Sequence, residues 1–78
     1  MEEINEKWYV RHRWSSKDNW HYERPKSKDE AEIDIMASVF TQPLWQWQII
    51  HEVDNNISSI GTVVRDGWSK YIVWENRE

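Results

Sequence analysis

His12, His21 and His51 are the only side chains in this sequence whose ordinary pKa suits general-base work or neutral nitrogen ligation near pH 7. Their placement argues against both roles. His12 and His21 fall on successive strand-like stretches and are expected on opposite faces, and His51 belongs to a different hairpin. No cluster has zinc-ligand spacing, and no Ser–His–acid arrangement rises above chance. The chain has no cysteine, which excludes a disulfide and a Cys-type zinc site. The expectation is ordinary polar histidines, no catalytic residue, no cofactor and no metal.

Tyr9, Arg11, Arg13, Arg65, Trp68, Lys70, Ile72 and Trp74 offer chemistry of another kind. Cations beside aromatics can form a stacking platform for single-stranded nucleic acid. They can equally form a protein-binding hot spot, where Trp, Tyr and Arg are enriched, or a solvated sheet face with cross-strand cation–π pairs. The formal charge of −4 and the pI of 5.3 decide the ranking. Nucleic-acid binding leans on phosphate neutralisation, so protein contact ranks first, a solvated face second and nucleic acid third. The acidic run Asp29, Glu30, Glu32 and Asp34 invites a DNA-mimic reading. Helix N-termini collect acids because of their dipole, and that reading is the stronger.

These side chains must be positioned by a small fold. Seventy-eight residues make one domain, 1–78, with residues 1–6 expected to be a flexible acidic N-terminus. A domain this short buries only about 60% of its unfolded surface. Seven Trp, three Tyr and one Phe supply the bulk that a disulfide would otherwise replace. No apolar run approaches the ~18 residues of a membrane span, and the start "MEEINEKWYV" has no signal-peptide core. The expected setting is cytoplasmic, without membrane contact. Asn56-Ile57-Ser58 matches a glycosylation sequon, a triplet common by chance.

"KWYVRHRW" alternates as a strand, with Trp8, Val10, His12 and Trp14 on one face and Tyr9, Arg11 and Arg13 on the other. "WHYER" reads as its hairpin partner, with Trp14 opposite Trp20 if residues 15–19 form the loop. Ser27 followed by Glu30 is a capping box, Pro43 stops the helix, and Ala31, Ile35, Met36, Val39 and Phe40 form its apolar stripe. "LWQWQIIHEV", "ISSIGTVVR" and "WSKYIVWE" read as three further strands. Asp66-Gly67 predicts a tight hairpin in which Arg65 faces Trp68 and Gly61 faces Ile72.

The order ββαβββ predicts an α+β fold, a mostly antiparallel five-stranded sheet with one helix packed on one face. A four-residue loop at 54–57 places Ile60, Thr62, Val64, Tyr71 and Val73 under the helix, together with Trp8, Val10, Trp20, Tyr22, Trp45, Trp47 and Ile49. The second face then holds Tyr9, Arg11, Arg13, His21, Gln46, Gln48, Ile50, Val63, Arg65, Trp68, Lys70, Ile72 and Trp74. A one-residue error in that loop would swap the assignment. One helix ~10 Å across cannot cover both faces of a sheet roughly 24 Å wide. Half of the acids lie at the N-terminus and on the helix, so the second face is aromatic and basic.

The expected function is a non-enzymatic protein-binding module that docks through this face onto a protein partner or a second copy of itself. A compact, motif-poor chain of this size fits a phage or mobile-element inhibitor of a host or defence protein. Single-stranded nucleic-acid binding through the same face and a homodimeric structural role are the alternatives.

Overall fold

The computed structural model describes residues 5–41 and 46–77. Strands β1 (Glu6–Arg13) and β2 (His21–Tyr22) precede helix α1 (Lys28–Thr41), and β3 (Gln46–Val53), β4 (Asn56–Asp66) and β5 (Ser69–Asn76) follow it. All neighbouring strands are antiparallel, in the order β2-β1-β3-β4-β5. This is the α+β architecture that the ββαβββ order predicts. No helix among the described residues is long and apolar enough to cross a membrane.

Connectivity decides where the helix sits. β2 and β3 both run antiparallel to β1, so they are parallel to each other with β1 between them. Parallel strands need a crossover connection, and α1 supplies it. The helix therefore lies over β1 and β3 rather than over the β4–β5 hairpin. Its first turn is capped as the sequence implies: the Glu30 amide donates to Ser27 Oγ at 3.2 Å, and the Ala31 amide donates to the Ser27 carbonyl at 2.9 Å. Ala31, Ile35 and Val39 pack on Val10, Trp47 and Ile49 to make the core. Trp8, Met36, Val63 and Ile72 flank it.

Two turns differ from expectation, and together they re-sort the faces. Asp54 and Asn55 both take positive φ, 51° and 67°, so β3 and β4 are joined by a two-residue turn closed by Val53↔Asn56. One bulge follows, where the register passes from Glu52↔Ile57 to His51↔Ser59 and leaves Ser58 unmatched. That extra residue reverses the side-chain parity of β4 against β3. Val63, Arg65, Lys70, Ile72 and Trp74 consequently share the helix side with Trp8, Val10, Trp47 and Ile49. Ile60, Thr62, Val64, Tyr71 and Val73 share the open side with Tyr9, Arg11, Arg13, Gln46, Gln48 and Ile50. The second turn shifts by one position. Only Gly67 has positive φ (62°), and the hairpin closes on Asp66↔Ser69 around Gly67-Trp68. Glycine at the first central position is the pattern of a type II′ turn, whereas Asp66-Gly67 as a type I′ turn needs two positive φ values. Arg65 therefore faces Lys70, and Gly61 faces Trp74.

The first hairpin differs in the same manner. β2 pairs as Arg11↔Tyr22 and His12↔His21, which excludes Trp14 opposite Trp20. The loop is tightened by the Asp18 amide donating to the Ser15 carbonyl at 3.1 Å. His12 and His21 thus share a face and stack, ring centroids 5.5 Å apart, while Tyr22 turns to the open side with Arg11. After Tyr22 the chain continues along the outside of β1. The Glu23 amide donates to the Val10 carbonyl, and the Lys26 amide to that of Trp8, on either side of Pro25. The outer edge of β1 is thereby covered. At the other end of the sheet no described strand pairs with the far side of β5: its odd residues face β4, a pattern continued by the Arg77 amide donating to Ser58, so Ile72, Trp74 and Asn76 turn their backbone groups outward.

Of the segment expected to be flexible, residues 1–4 lie outside the described residues. Glu6 instead begins β1, and Asn5 accepts a hydrogen bond from the Asp54 amide at 2.9 Å. Trp45, Pro43 and the side chain of Phe40 also lie outside the described set.

Candidate binding surface

The open side of the sheet is a grid of cross-strand rows. One row runs Tyr9, Ile50, Ile60, Glu75; the next runs Tyr22, Arg11, Gln48, Thr62, Val73. A third begins with Arg13 and Gln46 and resumes with Val64 and Tyr71. Among the described residues no helix lies on it. Ile50 and Ile60 are nevertheless buried, whereas Tyr22, Tyr71 and Val73 are exposed.

The two arginines are held rather than splayed. Arg11 and Arg13, two apart on β1 and so on one face, place their guanidinium carbons 4.2 and 4.1 Å from the Trp20 ring centroid. Arg11 Nε donates to Gln48 Oε1 at 2.8 Å, and Arg13 Nε donates to Gln46 Oε1 at 2.7 Å. Gln48 Nε2 then donates to Thr62 Oγ1 at 3.0 Å. Tyr9 stands beside Tyr22, with centroids 5.8 Å apart. Burial, and then its hydrogen bond to Glu52, push the Tyr9 phenol above its ordinary value, so it stays protonated.

At one end of the surface a cleft of about 560 Å³ is lined by Arg13, Gln46, Trp47, Gln48, Thr62, Val63 and Arg65. The β3–β4 register runs to Gln48↔Thr62 among the described residues, while β1 stays with β3 to Gln46 and β5 stays with β4 to Asp66. Residues from both sides of the sheet line this one cleft, which requires the two strands to part there.

The helix side has its own polar groups. Lys26 Nζ bonds Asp34 at 2.9 Å and Glu23 at 3.3 Å. Asp34 is held below the usual carboxylate range by hydrogen bonds from Glu23 and Lys26, and burial next to Asp34 raises Glu23. Burial, and then the adjacent His21, lower His12, which lies 4.6 Å from the Trp47 ring. His51 stacks on Trp8 at 3.9 Å and meets Glu6 at 2.7 Å. Among the described residues no three His, Asp or Glu side chains gather as a metal site.

The eight residues singled out from sequence do not form one surface. Tyr9, Arg11 and Arg13 stand together on the open side, and Arg65, Lys70, Ile72 and Trp74 lie on the helix side. Trp68 sits at the tip of the β4–β5 turn, fully exposed. Ile72 and Val63 are partly buried and pack against the core. Trp20, Tyr22, Thr62, Tyr71 and Val73 take the vacated places on the open side. The signal for the exchange lies in "ISSI": Ile57 and Ile60 occupy the same side three residues apart, a spacing that only a bulge allows. Family models, curated proteins and solved structures offer no match to this chain.

Proposed function

We propose that this chain is a non-enzymatic protein-binding module that docks a partner on the open side of its sheet. One observation carries the reading: on a sheet face that no helix of the described residues covers, two arginines are already stacked on Trp20 and tied by glutamines. Ordering a long side chain at an interface costs about 0.5–1.5 kcal/mol. Here that cost falls on folding instead of on association. Beside them Tyr71 and Val73 offer exposed apolar area on the same side. Aromatic and Arg anchors next to aliphatic surface are the composition of protein hot spots. Trp20 lends its ring to the arginines, which leaves less of it for a nucleobase and favours a protein over single-stranded nucleic acid. An inhibitor of another protein would use the surface in the same way, by occupying it.

The test compares three baits: wild type, Val73→Glu on the open side, and Ile33→Glu on the outer face of α1. A protein that copurifies with wild type and Ile33→Glu but is lost from Val73→Glu supports the reading. Retention by Val73→Glu and loss from Ile33→Glu would refute it. Sedimentation over a concentration series shows whether the partner is a second copy.

A further inference from the structure

We infer that the cleft where β3 and β4 part is a carboxylate-binding site, which receives an acidic side chain of the protein docked on the open face. The inference rests on the docking proposal above and gives that partner a chemistry.

The hydrogen-bond relay fixes which atoms the cleft presents. Gln46 Oε1 accepts from Arg13, so the amide nitrogen of Gln46 is left as a donor. Gln48 Oε1 accepts from Arg11, which turns its amide nitrogen onto Thr62 Oγ1. The Thr62 oxygen is thereby engaged as an acceptor and its hydroxyl proton is directed elsewhere. Each side-chain oxygen of this network already takes one hydrogen bond from within it, and amide, hydroxyl and guanidinium hydrogens stand beside them. Arg13 and Arg65 add two positive charges, and among the described residues no carboxylate lines the cleft. A donor-rich lining with two guanidinium groups matches an oxyanion, which accepts at both oxygens and suits the fork of an arginine.

The anion is a protein carboxylate and not a phosphate chain. A single-stranded nucleic acid carries a charge on every nucleotide and binds by neutralising several of them. Past this cleft the open-side rows lead to the uncharged Thr62, Val64, Tyr71, Val73 and Ile60; Arg11 adds one cation beside Gln48, and the row through Ile60 ends on Glu75, which repels a phosphate chain. The net charge of −4 opposes a polyanion further. A single anionic anchor bordered by apolar surface fits an acidic residue with apolar neighbours in its own chain. The volume of about 560 Å³ is in the range of small-ligand sites and admits such a side chain with adjoining backbone.

The probe is a capped peptide with two glutamates flanked by isoleucine and valine, compared with the same peptide carrying glutamines. Binding is read from the NMR signals of the Gln46 and Gln48 side-chain amides and the Arg13 Nε–H. The expected result is saturable movement of these signals and at least a tenfold weaker effect, roughly, for the glutamine peptide. Gln46→Glu replaces a donor with an acceptor and a negative charge at an exposed position, and should weaken binding by about tenfold or more while thermal stability is kept. Arg13→Lys retains charge but loses the fork, and should weaken it as well.

Equal response to the two peptides overturns the inference, as does unchanged binding by Gln46→Glu or no response up to roughly 10 mM peptide, since even a millimolar site is worth only about 4 kcal/mol. Stronger movement of the same signals by a thymidine oligonucleotide would assign the cleft to nucleic acid and overturn it too. If Val73→Glu loses a captured protein that Gln46→Glu keeps, the open face docks without this anchor. The docking proposal then survives and the carboxylate site does not.

Discussion

Replacing Gly61 by alanine tests the arrangement of the whole β4–β5 half of the sheet. A Cβ at this position would lie 2.8 Å from Ile72 Cγ2 and 3.0 Å from Trp74 Cη2 and Cζ2. Carbon atoms rest at roughly 3.5–4.0 Å, so the isoleucine methyl must retreat by at least about 0.7 Å and the indole by about 0.5 Å. Ile72 Cγ2 sits on a β-branched carbon whose χ1 is stiff, so the shift passes to the backbone or to an off-rotamer side chain. Trp74 can give more readily, being partly exposed, although its ring also meets Trp8 edge-on at 5.9 Å. Overpacking of this kind costs about 1–3 kcal/mol. Alanine recovers about 0.4–1 kcal/mol by restricting the unfolded chain, because the φ of Gly61 is not in the left-handed range. The net loss is about 1 kcal/mol, or ~4–8 °C in Tm for a domain of this size. Thermal and urea unfolding followed by circular dichroism give both numbers. Adding Trp74→Ala should make the second cost smaller than the sum of the separate ones, since part of the clash has been removed. A Gly61→Ala protein as stable as wild type, or strict additivity with Trp74→Ala, would refute this packing and the face assignment built on it.

Ser27→Ala removes the oxygen that accepts the Glu30 amide and should lower stability by about 1 kcal/mol in chemical denaturation. Trp68→Ala should leave stability within about 0.5 kcal/mol, because that side chain is fully exposed at the turn. Trp74→Ala should lower Tm measurably in the same assay. His12 is held below its ordinary pKa of 6.5 by burial and by His21, so the folded state binds its proton less readily than the unfolded chain. Stability should therefore decline as pH falls through the region of 6.5, and His12→Gln should flatten that decline in melts between about pH 7.5 and pH 6.

The helix is legible because several independent signals coincide on it: Ser27 and Glu30 at its start, the Ala31–Ile35–Val39 stripe and Pro43 beyond its end. The strand count and order follow from turn residues and alternation. The distribution of β4 and β5 between the two sides does not, because both sides of these strands are apolar. Val63 and Ile72 face the core, yet Val64, Tyr71 and Val73 would serve there on hydrophobicity alone. Parity was therefore decided by backbone geometry at Ser58, where a single unmatched residue outweighs every side chain downstream. Arg11, Arg13 and Tyr9 keep their expected side because they share an uninterrupted strand. Trp20 changes sides because its placement depended on the length of a polar loop.

The two ends of the sheet are unequal, and this sets a valence. Residues 21–26 guard the β1 end, with Pro25 lacking a donor to offer, whereas the eight-residue β5 presents backbone groups at Ile72, Trp74 and Asn76 and has neither proline nor bulge. Among the described residues, β5 is the edge that offers a regular row of backbone groups to a further strand. Two copies joined antiparallel through β5 would continue one sheet, place both helices on the same side and turn guarded edges to the outside. In such a pair propagation would stop at two, and the asymmetry of the sheet would set a limit to fibril growth.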